Sequence, residues 1–171
     1  MPDTLVVDTN VILVANNKHR EVSPECVANC ALRLQDVMNS GRLALDDARR
    51  ILGEYLHKTH PNRSKGPGDA FVKWVLRNEH NLMRCVRVAL TETSKDQFQG
   101  FPQDGELENF DPPDRKFVAV AIAHPENPPI LQATDSKWLG WAEELARHGI
   151  TVEFVCEKDV RRFQKRKFPD G

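Results

Sequence analysis

Acidic residues follow two short apolar runs. Leu5-Val6-Val7 leads directly into Asp8-Thr9-Asn10, and Ile130-Leu131-Gln132-Ala133-Thr134 leads into Asp135-Ser136. Two further acids, Glu54 and Asp114, stand within or just before segments of helical spacing. In an open parallel sheet, functional groups collect beyond the carboxyl ends of strands, where strand order reverses. Four carboxylates gathered at such a point would suit a hard cation such as Mg²⁺ and chemistry on phosphates. Each acid also has a plain structural role. Glu54 reads as a solvated acid on the face away from the Ile51–Tyr55 stripe, Asp114 as the N-cap of a helix through Phe117, worth about 1 kcal/mol, and Asp135 as a cap for the helix near Trp138. Together they are harder to explain structurally, because like charges ~4 Å apart repel by about 4 kcal/mol at an effective dielectric near 20. Function is the reason to tolerate that cost.

The elements that must position these acids alternate in type. Residues 4–8, 42–45, 85–90, 130–133 and 151–155 read as short strands rich in Val, Ile and Leu. Ser23-Pro24-Glu25 opens a helix with an N-cap oxygen, a first-turn proline and an acid, and Val27, Ala31, Leu34 and Met38 recur at helical spacing up to Gly41. Further helices are expected over 10–15, from Asp46 through Leu56, from Asp69 through Leu76, over 117–123, over 138–148 and over 159–165. Residues 91–113, with two glycines and three prolines, read as a long irregular loop. Strand–helix alternation without clear hydrophobic alternation inside the strands predicts a three-layer α/β/α sandwich around a mostly parallel sheet.

The 171 residues suit a single domain, 1–171, with one core. Apolar residues make up 40% and the formal net charge is −1, so contact with a polyanion must rest on a local basic patch. Two such patches are present: Arg49, Arg50, Lys58, Arg63 and Lys65 around Glu54, and Lys158, Arg161, Arg162, Lys165, Arg166 and Lys167 near the end. Either is a solvated face or a phosphate-binding rim. Cys26, Cys30, Cys85 and Cys156 show no CxxC spacing and read as buried thiols of a reducing compartment. No basic leader or membrane-spanning run is present, so a cytoplasmic protein with no membrane partner is expected.

At these residues the chain resembles the PIN-domain nucleases. LVVDTNVIL is similar to the family's opening strand and first acid, Asp8, with Asn10 as the polar neighbour that steadies it. ILGEYLHK resembles the second motif, with Glu54. DPPDRKFVAVAIAH resembles the third, with Asp114, and ILQATDSKWL the fourth, with Asp135 followed by Ser136. The resemblance implies a PIN-like fold and a metal-dependent endoribonuclease acting on single-stranded RNA. Asp8, Glu54, Asp114 and Asp135 would bind Mg²⁺ or Mn²⁺ and orient the attacking water, and Asn10 and Ser136 would support them. It also implies a homodimer, and a toxin partnered by an antitoxin protein. The chain departs from the pattern at Lys137, where the fourth motif often carries a second acid, which leaves one metal ion or two open. Asp111 is assigned to the loop. Residues 57–80 and 91–113 make the chain longer than compact relatives.

Three other readings follow from the same residues. Glu54 and His57 have the spacing of a di-iron Glu-x-x-His, but no second copy exists. Asp8-Thr9-Asn10 resembles the Asp-x-Asp of haloacid-dehalogenase-like phosphatases, but an amide at position 10 cannot act as general acid–base. The alternative function is a catalytically silent PIN-like module that binds RNA or protein, motivated by Lys137.

Overall fold

The computed structural model describes residues 3–169. Five strands form one parallel sheet in the order β3-β2-β1-β6-β7: β1 (Thr4–Val7), β2 (Arg42–Asp46), β3 (Cys85–Val88), β6 (Ile130–Gln132) and β7 (Val152–Phe154). A small antiparallel hairpin, β4 (Glu92–Ser94) with β5 (Gln97–Phe98), stands apart. Seven helices flank the sheet: α1 (Thr9–Ala15), α2 (Pro24–Ser40), α3 (Arg50–Lys58), α4 (Pro67–Asn78), α5 (Arg115–Ala123), α6 (Lys137–Arg147) and α7 (Glu157–Lys167). This is the expected three-layer α/β/α sandwich. Strand order runs outward from β1 in one direction through β2 and β3 and in the other through β6 and β7, so the reversal lies between β1 and β6. Asp8 and Asp135 follow those two strands.

Burial explains the strand composition. Val6, Val7, Leu43, Ala44, Leu45, Ile130 and Leu131 are all inaccessible or nearly so, as expected for strands covered on both faces. Helix starts carry the capping chemistry that the sequence implied. The Ser23 hydroxyl accepts from Cys26 N, at 3.2 Å, ahead of Pro24. Asp46, at the end of β2, accepts from the backbone N–H of Ala48, Arg50 and Ile51 at 2.9–3.1 Å and so satisfies the first two donors of α3 and one in the turn before it.

Some expectations are corrected. α4 begins at Pro67, so Asp69 lies inside its first turn instead of capping it. The cap is Asn16, at the end of α1, whose side-chain oxygen accepts from Gly68 N (2.7 Å) and Asp69 N (3.2 Å). A Cβ on Gly68 would lie 2.3 Å from the Ile12 carbonyl oxygen, so only glycine allows α1 and α4 this approach. α7 begins at Glu157, and Asp159 within it accepts from the backbone and hydroxyl of Ser23 at 2.8 and 2.9 Å. The cysteines are not four free thiols. Cys26 and Cys156 form a disulfide across 130 residues, with Cα atoms 5.3 Å apart, while Cys30 and Cys85 are free and buried. The bridge forms because α7 folds back onto the start of α2, a long-range contact that cysteine spacing does not reveal. It also removes one argument for a reducing compartment.

The stretch 91–113 is built instead of loose. It contains the hairpin and two 3-10 turns, Gly105–Leu107 and Pro112–Asp114. Arg115, 8% exposed, holds it by donating to Gln97 Oε1 (2.9 Å) and to the carbonyls of Glu108 (2.9 Å) and Phe110 (3.2 Å). Phe110 packs against Trp138 and Trp141 of α6, with ring centroids 5.0 and 4.4 Å away. The loop therefore delivers Asp111 and Asp114 on a rigid base.

Candidate metal centre

Asp8 ends β1 and turns the chain into α1. Its Oδ2 accepts from Asn10 N at 2.9 Å, which caps the helix. Its Oδ1 is buried and meets no hydrogen-bond partner among the described residues. An unpartnered buried carboxylate oxygen is costly unless something else satisfies it. Burial, first, and then the Asp114 carboxylate hold the Asp8 carboxyl well above the usual carboxylate range, and Glu54 and Asp135 push the same way. The hydrogen bond from Asn10 opposes them.

Asp114 precedes α5, yet its side chain makes no capping hydrogen bond. The N-cap role expected from its position is therefore absent. Its carboxylate joins those of Asp111 and Asp135, one oxygen from each lying within 4.8 Å of the others. Burial, then Asp135, Glu54 and Asp111, raise the Asp114 carboxyl to about 6, against the pull of Lys116. Asp135, beyond β6, accepts weakly from Lys137 N at 3.2 Å, a partial cap that leaves its carboxylate facing the cluster.

Glu54 is not the free surface acid its helix position suggests. The Thr9 hydroxyl donates to Oε2, and Lys116 Nζ lies 3.0 Å from Oε1. Both partners come from elements that flank Asp8 and Asp114, which ties Glu54 to the other acids. Tyr55, fully buried beside it, donates to the Val7 carbonyl and fixes α3 against β1.

The supporting residues divide. Asn10 Oδ1 accepts from Thr134 N (2.7 Å) and from the Thr134 hydroxyl (3.2 Å), joining the segments that carry Asp8 and Asp135. Ser136 is buried and lines a cleft beside Asp135. Asp111, assigned to the loop from the sequence, belongs with the acids. Lys137 Nζ pairs with it at 3.0 Å and not with Asp135. So Lys137 balances charge at the edge of the cluster. Of the expected basic rim around Glu54, Arg49 pairs with Glu79, and Arg50 with Glu92 (3.1 Å) and Asp46 (3.6 Å).

The residues fit a bound divalent cation. Asp111, Asp114 and Asp135 supply hard oxygen donors within 4.8 Å of one another, Asp8 adds an orphaned buried oxygen outside that group, and the repulsion among the acids is relieved by positive charge. The chain matches no known protein family, no curated protein and no solved structure.

Proposed function

We propose that the protein is a Mg²⁺- or Mn²⁺-dependent endoribonuclease that hydrolyses phosphodiester bonds of single-stranded RNA, as the resemblance to PIN-domain nucleases implies. The observation that supports this most is the buried, unpartnered Oδ1 of Asp8 at the switch point of the sheet, in a carboxyl that burial and the Asp114 and Asp135 charges hold high. Asp8, Asp114 and Asp135 would hold the cation, with Glu54 completing the negative charge. When bound, such a cation lowers the pKa of a water and offsets charge on phosphate oxygens. The chain's own residues do the positioning. Asn10 sets the spacing between Asp8 and Asp135, Tyr55 fixes α3, and Arg115 sets the segment that carries Asp111 and Asp114. Lys116 and Lys137 hold Glu54 and Asp111 in place and limit the total charge.

The test is cleavage of a mixed single-stranded RNA pool with Mn²⁺, with EDTA and with Asp8→Asn. Asparagine keeps an N-cap acceptor for α1 while removing the charge, so the fold survives. Activity lost in both controls supports the reading; full activity of Asp8→Asn would sink it. The two lysine pairs also favour a second reading, a catalytically silent module that binds RNA or protein, because they neutralise part of the acidic charge without metal. A Mn²⁺ titration separates the two, since the silent module shows no tight metal binding.

A further inference from the structure

A cleft of about 370 Å³ opens beside the acids and reaches from Asn10, Asp135 and Ser136 to His19, Phe163 and Lys167. We propose that it is the subsite for an unpaired nucleotide next to the scissile phosphate of a single-stranded RNA. The base lies on the His19–Phe163 pair and the phosphate on Arg166 and Lys167. The assignment rests on the nuclease reading above and specifies how its substrate is held.

Three observations carry it. First, the aromatic pair is ready-made. The His19 ring stacks on Phe163, centroids 5.8 Å apart and planes 29° apart, and His19 Nδ1 lies 2.9 Å from the Arg20 carbonyl, which steadies the exposed ring. Second, a cation borders it: the Arg166 guanidinium, which lines the cleft, lies 6.0 Å from the Phe163 centroid, while Arg162, 5.1 Å from that ring, is held by Asp159 and the Glu21 carbonyl. Aromatic faces among cations are what a single strand uses for base stacking and backbone contact, whereas a duplex hides its base faces. Third, the cationic charge is available to a phosphate. Arg166 pairs with Glu21 at 2.7 Å, but both side chains are more than half exposed. Such an exposed pair is screened by water and contributes little, so a phosphate can displace the carboxylate. Lys167 has no carboxylate partner among the described residues. The basic run on α7 thus gains a role that a merely solvated helix face lacks, because it borders the same cleft as Asp135.

The experiment is fluorescence anisotropy with a labelled single-stranded RNA decamer, full-length protein and EDTA, so that binding is read without cleavage. Circular dichroism confirms that each variant is folded. His19→Ala and Phe163→Leu are each expected to raise Kd at least about 5-fold through lost stacking. Lys167→Ala should make the slope of log K against log salt shallower by about 0.7. Glu21→Gln, which frees Arg166, should tighten binding. A duplex of the same sequence should compete poorly. No binding by the wild type, an unchanged Kd in His19→Ala and Lys167→Ala, or equal competition by duplex overturns the subsite. Binding through these residues by a protein that cleaves nothing would preserve the subsite and remove the nuclease reading. Cleavage with an unchanged KM in these variants would do the reverse.

Discussion

The side-chain oxygen of Asn10 accepts two hydrogen bonds from Thr134, one from its backbone N–H at 2.7 Å and one from its hydroxyl at 3.2 Å. Residues 124 positions apart are thereby pinned where β1 and β6 end. Asn10→Ala leaves the buried Thr134 donors unsatisfied, which costs about 1–3 kcal/mol. It also frees Asp135 to move relative to Asp8. Urea denaturation should show that loss, and RNA cleavage by the still-folded variant should fall. A variant as stable and as active as wild type would show that the link does not set the spacing.

The acids make stability depend on pH in a direction opposite to that of ordinary salt-bridged carboxylates. Asp8 and Asp114 bind protons more tightly in the folded state than in the unfolded chain. The Asp114 contribution is complete at low pH and is lost as pH rises from about 4 through about 6, and that of Asp8 is lost in the same direction. Metal-free protein should therefore lose stability between pH 5 and pH 7.5. The Asp114 share is on the order of 1–2 kcal/mol, from ~1.4 kcal/mol per pKa unit discounted for solvent screening of a half-buried group. Asp114→Asn should flatten this slope, and saturating Mg²⁺ should offset it. Denaturant midpoints at the two pH values, with and without Mg²⁺, decide the matter. A slope unaffected by Asp114→Asn would place its origin elsewhere.

The Cys26–Cys156 bridge closes a long loop, so the unfolded chain loses much entropy by being cross-linked. Reduction should lower stability by about 2–4 kcal/mol. Cys30 Sγ lies 3.7 Å from Cys156 Sγ, on the same helix face as Cys26. Cys26→Ser should therefore allow a Cys30–Cys156 bridge, whereas Cys156→Ser should lose the cross-link altogether. Thiol titration of the unfolded proteins checks this: one free thiol is expected in Cys26→Ser and three in Cys156→Ser. Three free thiols in both would show that Cys30 cannot replace Cys26.

What was legible in the sequence follows from how local the cause is. Asp8 and Asp135 could be placed because each directly follows a buried strand, and strand ends are local features. Asp111 reads as a loop acid, and its approach to Asp114 and Asp135 depends on Lys137, Arg115 and Phe110 packing on α6, none of which is visible in local spacing. Asp114 looked like a cap for the opposite reason. The local pattern was right, but tertiary placement turned the carboxylate toward other acids. Cys156 read as a thiol because its partner lies 130 residues away. His19 carried no signal at all, and only the return of α7 onto the α1–α2 connection gives it Phe163 as a neighbour.

Arg115 tests whether the acidic centre depends on the ordered stretch before α5. Its guanidinium donates to Gln97, Glu108 and Phe110 and lies 5.0 Å from the Phe101 ring centroid, so one side chain joins the hairpin, the first 3-10 turn and α5. Lysine cannot reproduce this fork of donors. Arg115→Lys should strand the buried Phe110 carbonyl, weaken the part-buried contacts to Gln97 and Glu108, and cost about 1–3 kcal/mol. Because the acceptors of Arg115 all lie in the stretch before α5, hydrogen exchange should rise first in residues 97–114 and less in β1, β2 and β6. Mn²⁺ affinity should fall with it, since Asp111 and Asp114 lose their rigid base. Unchanged exchange and metal affinity would mean that packing of Phe110 between Trp138 and Trp141 holds the segment by itself.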